Sequence, residues 1–164
     1  MTKRKKKNLY LVATKAMTIN LFFKYFISKN KNFFNINVIC SDPKNLKINT
    51  KINKIKISFP TKLIDFLRPD KLFLLFNQLS SIKNRLINSI ILLNTPVASH
   101  FFRIRFFLYK LNIIYFVHGF RFIPNGSWYK NFLFEIFEKI LSIPTKKYIT
   151  INSFDYNFVK KNLK

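Results

Sequence analysis

Ser89-Ile90-Ile91-Leu92-Leu93-Asn94-Thr95-Pro96 is a short apolar run that ends in a polar turn and a proline. A strand with one wet face alternates apolar and polar residues. One that is apolar throughout is covered on both faces, as in a parallel sheet between helices. The segments around it supply those helices. Pro69-Asp70 opens one, since proline suits the first turn and Asp70 complements the positive end of the helix dipole. Leu72, Leu75, Phe76, Leu79, Ile82 and Leu86 form its apolar stripe. A second helix is predicted after Pro96, through Ser99, Phe102, Phe106 and Leu108, followed by the strand Ile113-Ile114-Tyr115-Phe116-Val117 and an abrupt stop at His118-Gly119.

Working outward, Asn8-Leu9-Tyr10-Leu11-Val12-Ala13-Thr14 reads as another strand buried on both faces. Thr18 then caps a helix with Ile19, Phe22, Phe23 and Phe26 on one side. Ile36 to Cys40 is a strand closed by Ser41-Asp42-Pro43, and Ile55 to Phe59 one closed by Pro60. Between them, Lys44 to Lys56 is polar and specifies little. Beyond Ser127, Trp128, Phe132, Leu133, Ile136, Phe137, Ile140 and Leu141 define the apolar face of a long helix, with Glu135 and Lys139 as an i,i+4 pair on the other side. Tyr148 to Ile151 is a strand, and Ser153 starts a last helix through Phe154, Phe158 and Leu163. Strands alternating with helices imply right-handed crossovers and an α/β, Rossmann-like, doubly wound parallel sheet. Ligands of such sheets lie beyond the carboxyl ends of the strands. That rule selects Thr14-Lys15-Ala16, Asn94-Thr95-Pro96, His118-Gly119-Phe120 and Asn152-Ser153.

Composition bounds the rest. At 164 residues and 49% hydrophobic, the chain suits one packed domain, here residues 9–164 behind a basic tail of residues 1–8, and is too short for two Rossmann domains. An aromatic share of 18% excludes a disordered protein. The net charge of +24 has two sources to weigh: the Lys and Asn codons of an AT-rich genome, and attraction to anionic surfaces. Lys far outnumbers Arg, which favours diffuse attraction over base readout. No zinc-finger spacing, RNP-like segment or glycine-rich KH loop is present, so no specific nucleic acid is expected. Cys40 stands alone, which fits a reducing cytoplasm. The basic start, Thr2 to Lys7, resembles the head of a signal peptide, but Thr14 and Lys15 break the apolar stretch behind it. No apolar run reaches the ~18 residues of a membrane span. Six acidic residues without convincing pairs argue against a carboxylate-pair hydrolase, and no metal-ligand cluster appears.

The strand ends also carry a resemblance. Leu92-Leu93-Asn94-Thr95-Pro96-Val97-Ala98-Ser99 resembles the H-T-P-V-A-S segment of family 4 glycosyltransferases of bacterial surface polysaccharide synthesis. Val117-His118-Gly119-Phe120-Arg121-Phe122 resembles their A-H-G-F-x-F segment, Phe137-Glu138-Lys139 their E-K/R helix, and Tyr148 to Tyr156 their I-T-I-N-x-x-D-Y segment. Leu11 to Thr14 and Leu21 to Lys24 fit the first strand and helix. Four motifs in order, covering the chain from about Leu9 onward, make the likeness specific. Two departures stand out: the H-T-P histidine is Asn94 here, and the family continues past the position of Lys164 into a second Rossmann-like domain.

The resemblance implies the N-terminal, acceptor-side half of a GT-B glycosyltransferase. The complete enzyme would move a hexosyl or N-acetylhexosaminyl group from a nucleotide diphosphate sugar to a lipid-linked or polysaccharide acceptor of lipopolysaccharide or capsule. It would do so with retention, without metal or cofactor, with the donor held by the C-terminal domain. It places His118 at the catalytic position and Thr14, Asn94, Thr95, Gly119, Phe120, Asn152 and Asp155 around the acceptor. The residues by themselves leave alternatives. His118 has the chemistry to bond a sugar hydroxyl or a loop carbonyl, and Thr95 can face a ligand or cap a helix. Asn152 and Asp155 suit ordinary helix-start chemistry, His100 suits surface packing, and Glu138 suits pairing with a nearby base. Phe122, Ile123 and Trp128 fit an interface or the core. The expected location is cytoplasmic, peripheral on the inner face of the plasma membrane, with Lys3 to Lys7 against anionic lipid. The rival expectation is a non-catalytic Rossmann-like subunit, or a fragment, that docks with a separate donor-binding partner.

Overall fold

The apolar runs become the strands of one sheet in the computed structural model, which describes residues 6–120 and 127–163. Strands β1 (Lys7–Val12), β2 (Phe34–Cys40), β3 (Asn53–Lys56), β4 (Ile90–Leu93), β5 (Asn112–Val117) and β6 (Thr145–Thr150) lie in the order β3-β2-β1-β4-β5-β6. Every neighbouring pair is parallel. The architecture is therefore the expected Rossmann-like doubly wound sheet. Alternate side chains feed two cores. Tyr10, Val12, Ile91, Leu93, Ile113, Tyr115 and Val117 pack under helices α4 (Pro69–Ser81) and α6 (Pro96–Arg105) through Leu75, Leu79, Phe102 and Phe106. Leu9, Leu11, Ile36, Val38 and Leu92 pack under α1 (Ala16–Phe22) and α2 (Lys24–Asn30) through Ala16, Ile19, Phe23 and Ile27. Each fully buried aliphatic chain contributes about 1.5–3 kcal/mol of apolar burial.

Several expectations need correction. The first helix starts at Ala16, not behind Thr18: Lys15 occupies the N-cap position without a side-chain bond, and the Ala16 N–H donates to Asp42 Oδ1 at 2.7 Å instead. The helix is interrupted at Phe23, yet the four-residue spacing of Ile19, Phe23 and Ile27 keeps all three on the core side while Phe22 stays exposed. The third strand pairs over Asn53 to Lys56 rather than Ile55 to Phe59, and Ile57 prolongs it with one bond to the Cys40 carbonyl. The helical stripe after Pro69 is interrupted at Ile82, and α5 (Lys83–Leu86) carries Leu86 inward. A short unforeseen helix, α3 (Leu63–Phe66), is pinned by Asp65, which accepts from the Thr61 and Lys62 N–H groups and pairs with Lys71. Those contacts, led by Lys71, hold the Asp65 carboxyl down at about 2. Leu108 is 90% exposed and outside α6, which ends at Arg105.

The largest correction concerns α7 (Trp128–Ser142). Its apolar face is turned outward, which for Trp128 selects the interface alternative over the core: Trp128, Phe132, Leu133, Ile136 and Ile140 are exposed, and of that stripe only Leu141 is buried. Glu138, on the opposite side of the helical wheel, faces inward at 4% exposure. The cause is Arg103 on α6, which is fully buried and needs a counter-charge. Its guanidinium donates to both Glu138 oxygens at 2.9 and 3.2 Å and stacks on Tyr115 at 4.5 Å, while His100 Nε2 bonds Glu138 Oε1 at 2.7 Å. Seating Glu138 under α6 leaves the apolar stripe facing away from the sheet. The expected base pairing of Glu138 is thus present, and His100, of the two expected alternatives, is the packing histidine and joins that pair. The Glu135–Lys139 pair is not among the ion pairs of the described residues. Phe122, Ile123 and the tail residues Lys3 to Lys5 lie outside the described residues.

Candidate functional site at the strand ends

Parallel strands put all their carboxyl ends on one edge, and there the turns are hydrogen-bonded to one another. The Asn94 N–H donates to the Val12 carbonyl at 2.9 Å, and the Ser41 N–H to the Thr14 carbonyl at 3.0 Å. The Thr14 N–H donates to Thr95 Oγ1 at 2.8 Å, and the two threonine hydroxyls share a 2.7 Å bond. Thr95 therefore neither caps α6 through its side chain nor presents a free hydroxyl; it ties the turn after β4 to the turn after β1.

His118 follows β5, beside the turn after β4. Its ring lies against Phe22, with centroids 4.1 Å apart, and against Phe116 at 4.6 Å. Its Nε2 bonds the Asn94 side-chain amide at 2.6 Å. Burial holds its pKa below the ordinary histidine value, so the ring is neutral near pH 7. With the Asn94 amide donating, His118 carries its proton on Nδ1; with the amide reversed, Asn94 Oδ1 accepts from Nε2–H. In the arrangement shown, Asn94 Oδ1 and His118 Nδ1 are both buried without a protein partner. Asn94, which stands where the family motif has histidine, is thus the immediate neighbour of His118.

Gly119 follows with φ of 140°, a backbone conformation that side chains disfavour, and a Cβ there would meet nothing within 4 Å. Its glycine is required by the turn and not by a close contact. Phe120 next packs on Tyr115, and its N–H donates to Asp155 Oδ1 at 3.3 Å. Asp155 is buried and takes a second bond from Asn152 Nδ2 at 2.6 Å, while Asn152 Oδ1 accepts from the Asp155 N–H at 2.8 Å and so caps α8 (Ser153–Asn162). Asn152 and Asp155 do helix-start work, and Asp155 additionally anchors the turn after β5. Of the expected site residues, Thr14, Asn94, Thr95, His118, Gly119, Phe120, Asn152 and Asp155 all line this edge. Among them, His118 with Asn94 offers polar atoms not already used by the fold.

Two contributors were missed. Phe22 does not share the inward side of Ile19 and Phe23 but covers His118; with Met17 and Leu21 it forms an exposed apolar strip on α1 beside the polar edge. Ser41 was seen only as a strand stop. The i,i+4 spacing of Met17 and Leu21 is the trace of the first in the sequence. Two clefts of about 440 and 730 Å³ open at the opposite, amino-terminal edge of the sheet, lined in part by Lys6, Lys31, Asn53 and Arg85, and touch none of these residues.

No protein-family model matches the chain, and no curated protein matches it. Among solved structures it is similar to a protein assigned as a UDP-N-acetylglucosamine 2-epimerase from Listeria monocytogenes, with a TM-score of 0.62 and 11% identity. The match covers 98% of this chain and 43% of that one, so this chain spans less than half of that protein's length. At that identity the likeness is one of fold: a Rossmann-like domain matching a neighbour of the GT-B type.

Proposed function

We propose that this chain is the acceptor-side, N-terminal Rossmann-like domain of a GT-B glycosyltransferase that acts in cell-surface glycan synthesis. The observation that carries the reading is the Asn94–His118 pair, set at the carboxyl edge of the sheet beside the apolar strip of α1. The paired polar atoms suit a sugar hydroxyl, and the strip suits the hydrocarbon of a lipid-linked acceptor. In the reaction an acceptor oxygen forms a bond to the anomeric carbon, the bond from that carbon to the nucleotide diphosphate breaks, and the hydroxyl proton passes to the leaving diphosphate oxygen. With Nε2–H donating to Asn94 Oδ1, the Nδ1 lone pair of neutral His118 accepts a hydrogen bond from the acceptor hydroxyl and fixes its direction. The nucleotide diphosphate is held by a second Rossmann-like domain, whose cationic groups stabilise the leaving charge.

A second reading, isomerisation of a sugar still attached to its nucleotide, draws on the fold likeness to the 2-epimerase assignment. One assay separates the two. The chain is combined with a donor-domain partner and a panel of nucleotide sugars, with and without a lipid-linked acceptor. Acceptor-dependent release of nucleoside diphosphate supports transfer; acceptor-independent conversion of the nucleotide sugar supports isomerisation. Full transfer by His118→Ala would remove His118 from the mechanism.

A further inference from the structure

We infer that the outward face of α7 is a docking surface for an anionic lipid bilayer. Trp128, Phe132, Leu133, Ile136 and Ile140 are between 39% and 79% exposed. At 100° per residue they occupy one continuous side of the helix, opposite buried Glu138. A contiguous apolar face of this kind on a water-exposed helix marks an interaction site. The buried Arg103–Glu138 pair fixes which side faces out, so the exposure is built into the packing.

Charge selects the occupant. Of the six acidic residues, Asp65, Glu138 and Asp155 are buried and Asp42 and Glu135 half-buried. Asp70, on the open surface, is paired with Arg68. The surface is therefore cationic with almost no compensating charge, and Lys139, Lys146 and Lys147 are exposed on and just beyond α7. Lysines extend along apolar surface and hold their ammonium groups in the headgroup layer, and tryptophan prefers the same boundary. At 15 residues the helix is about 22 Å long, too short to cross a core of about 30 Å, so it lies in the plane of the interface. Among the described residues no helix is long and apolar enough to cross a membrane.

The protein carries its own probe, because Trp128 is its only tryptophan. The full chain is mixed with phosphatidylcholine vesicles, with and without phosphatidylglycerol. Binding is read by flotation, and the tryptophan by emission, by iodide quenching and by lipids brominated in the acyl chain. The expected result is selective binding to the anionic vesicles with a blue shift, protection from iodide and quenching by the brominated lipid. The Leu133→Glu, Ile136→Glu double variant, changed only at exposed positions, should bind at least about tenfold more weakly. Binding with Trp128 still open to iodide would overturn the inference, since the lysines alone would then be responsible. Equal binding to neutral vesicles, no binding, or the same tryptophan response to RNA would overturn it too. None of these readouts involves sugar transfer, so this inference and the proposed reaction stand or fall separately.

Discussion

Glu138→Gln tests whether a buried charge turns α7. The substitution is nearly isosteric, so packing is kept and only the charge is lost. Arg103 would remain a fully buried cation with only neutral acceptors, the new side-chain amide oxygen and the Ser99 and Leu141 carbonyls, the latter each at 3.4 Å. Removing one partner of a buried pair costs about 3–5 kcal/mol, a large fraction of the roughly 5–15 kcal/mol that holds a domain together. With a denaturant slope of about 2 kcal/mol per molar, the urea midpoint should fall by about 2 M. The double variant Arg103→Met, Glu138→Leu should recover most of that loss, because no unpaired charge remains. Burial pushes the Glu138 carboxyl up, but the His100 bond and the Arg103 charge outweigh it and hold the carboxyl below its ordinary value of 4.5. A carboxyl depressed in the folded state binds fewer protons there than in the unfolded chain. Its stabilisation is thus complete above pH 4.5 and is lost as pH falls through the lower folded value; Glu138→Gln should flatten this limb of the urea titration. A Gln variant within about 1 kcal/mol of the parent, or a double variant as unstable as the single one, would refute the reasoning.

Three further outcomes follow from other groups. The His118 ring should titrate by NMR below the ordinary 6.5, because burial disfavours its cation; the same shift makes the fold less stable as pH drops under 6.5. Cys40, fully buried with its thiol pushed up to about 11 mainly by burial, should react with a disulfide reagent only as fast as the protein unfolds. Asn152→Ala removes the α8 cap and should cost about 1 kcal/mol in chemical denaturation, with Phe120 signals moving in the NMR spectrum because Asp155 loses its partner.

How much of this was legible beforehand differs from element to element. Runs such as Ile90 to Leu93 and Ile113 to Val117 announce a parallel sheet because their burial on both faces is written in consecutive residues. The edge strand β3, with pattern Asn53-Lys54-Ile55-Lys56, is exposed along most of its length and so left a weaker trace. The site residues were found by position, since a parallel sheet fixes which turns meet. Their duties were not. Whether Thr95 faces a ligand or Thr14 depends on a distance across 81 positions, and Asp155 reaches Phe120 across 35.

By itself, then, the order of apolar runs and turns determined the fold and the edge where chemistry can gather, because backbone pairing and crossover handedness follow from local pattern. Only the tertiary structure decided which way α7 faces. Hydrophobicity along that helix leaves Trp128 between an interface and the core, and a buried guanidinium on a different helix draws Glu138 inward and leaves Trp128 outside. An uncompensated buried charge costs about 3–5 kcal/mol, the same order as the burial these partly exposed side chains forgo, and no window of sequence contains both partners.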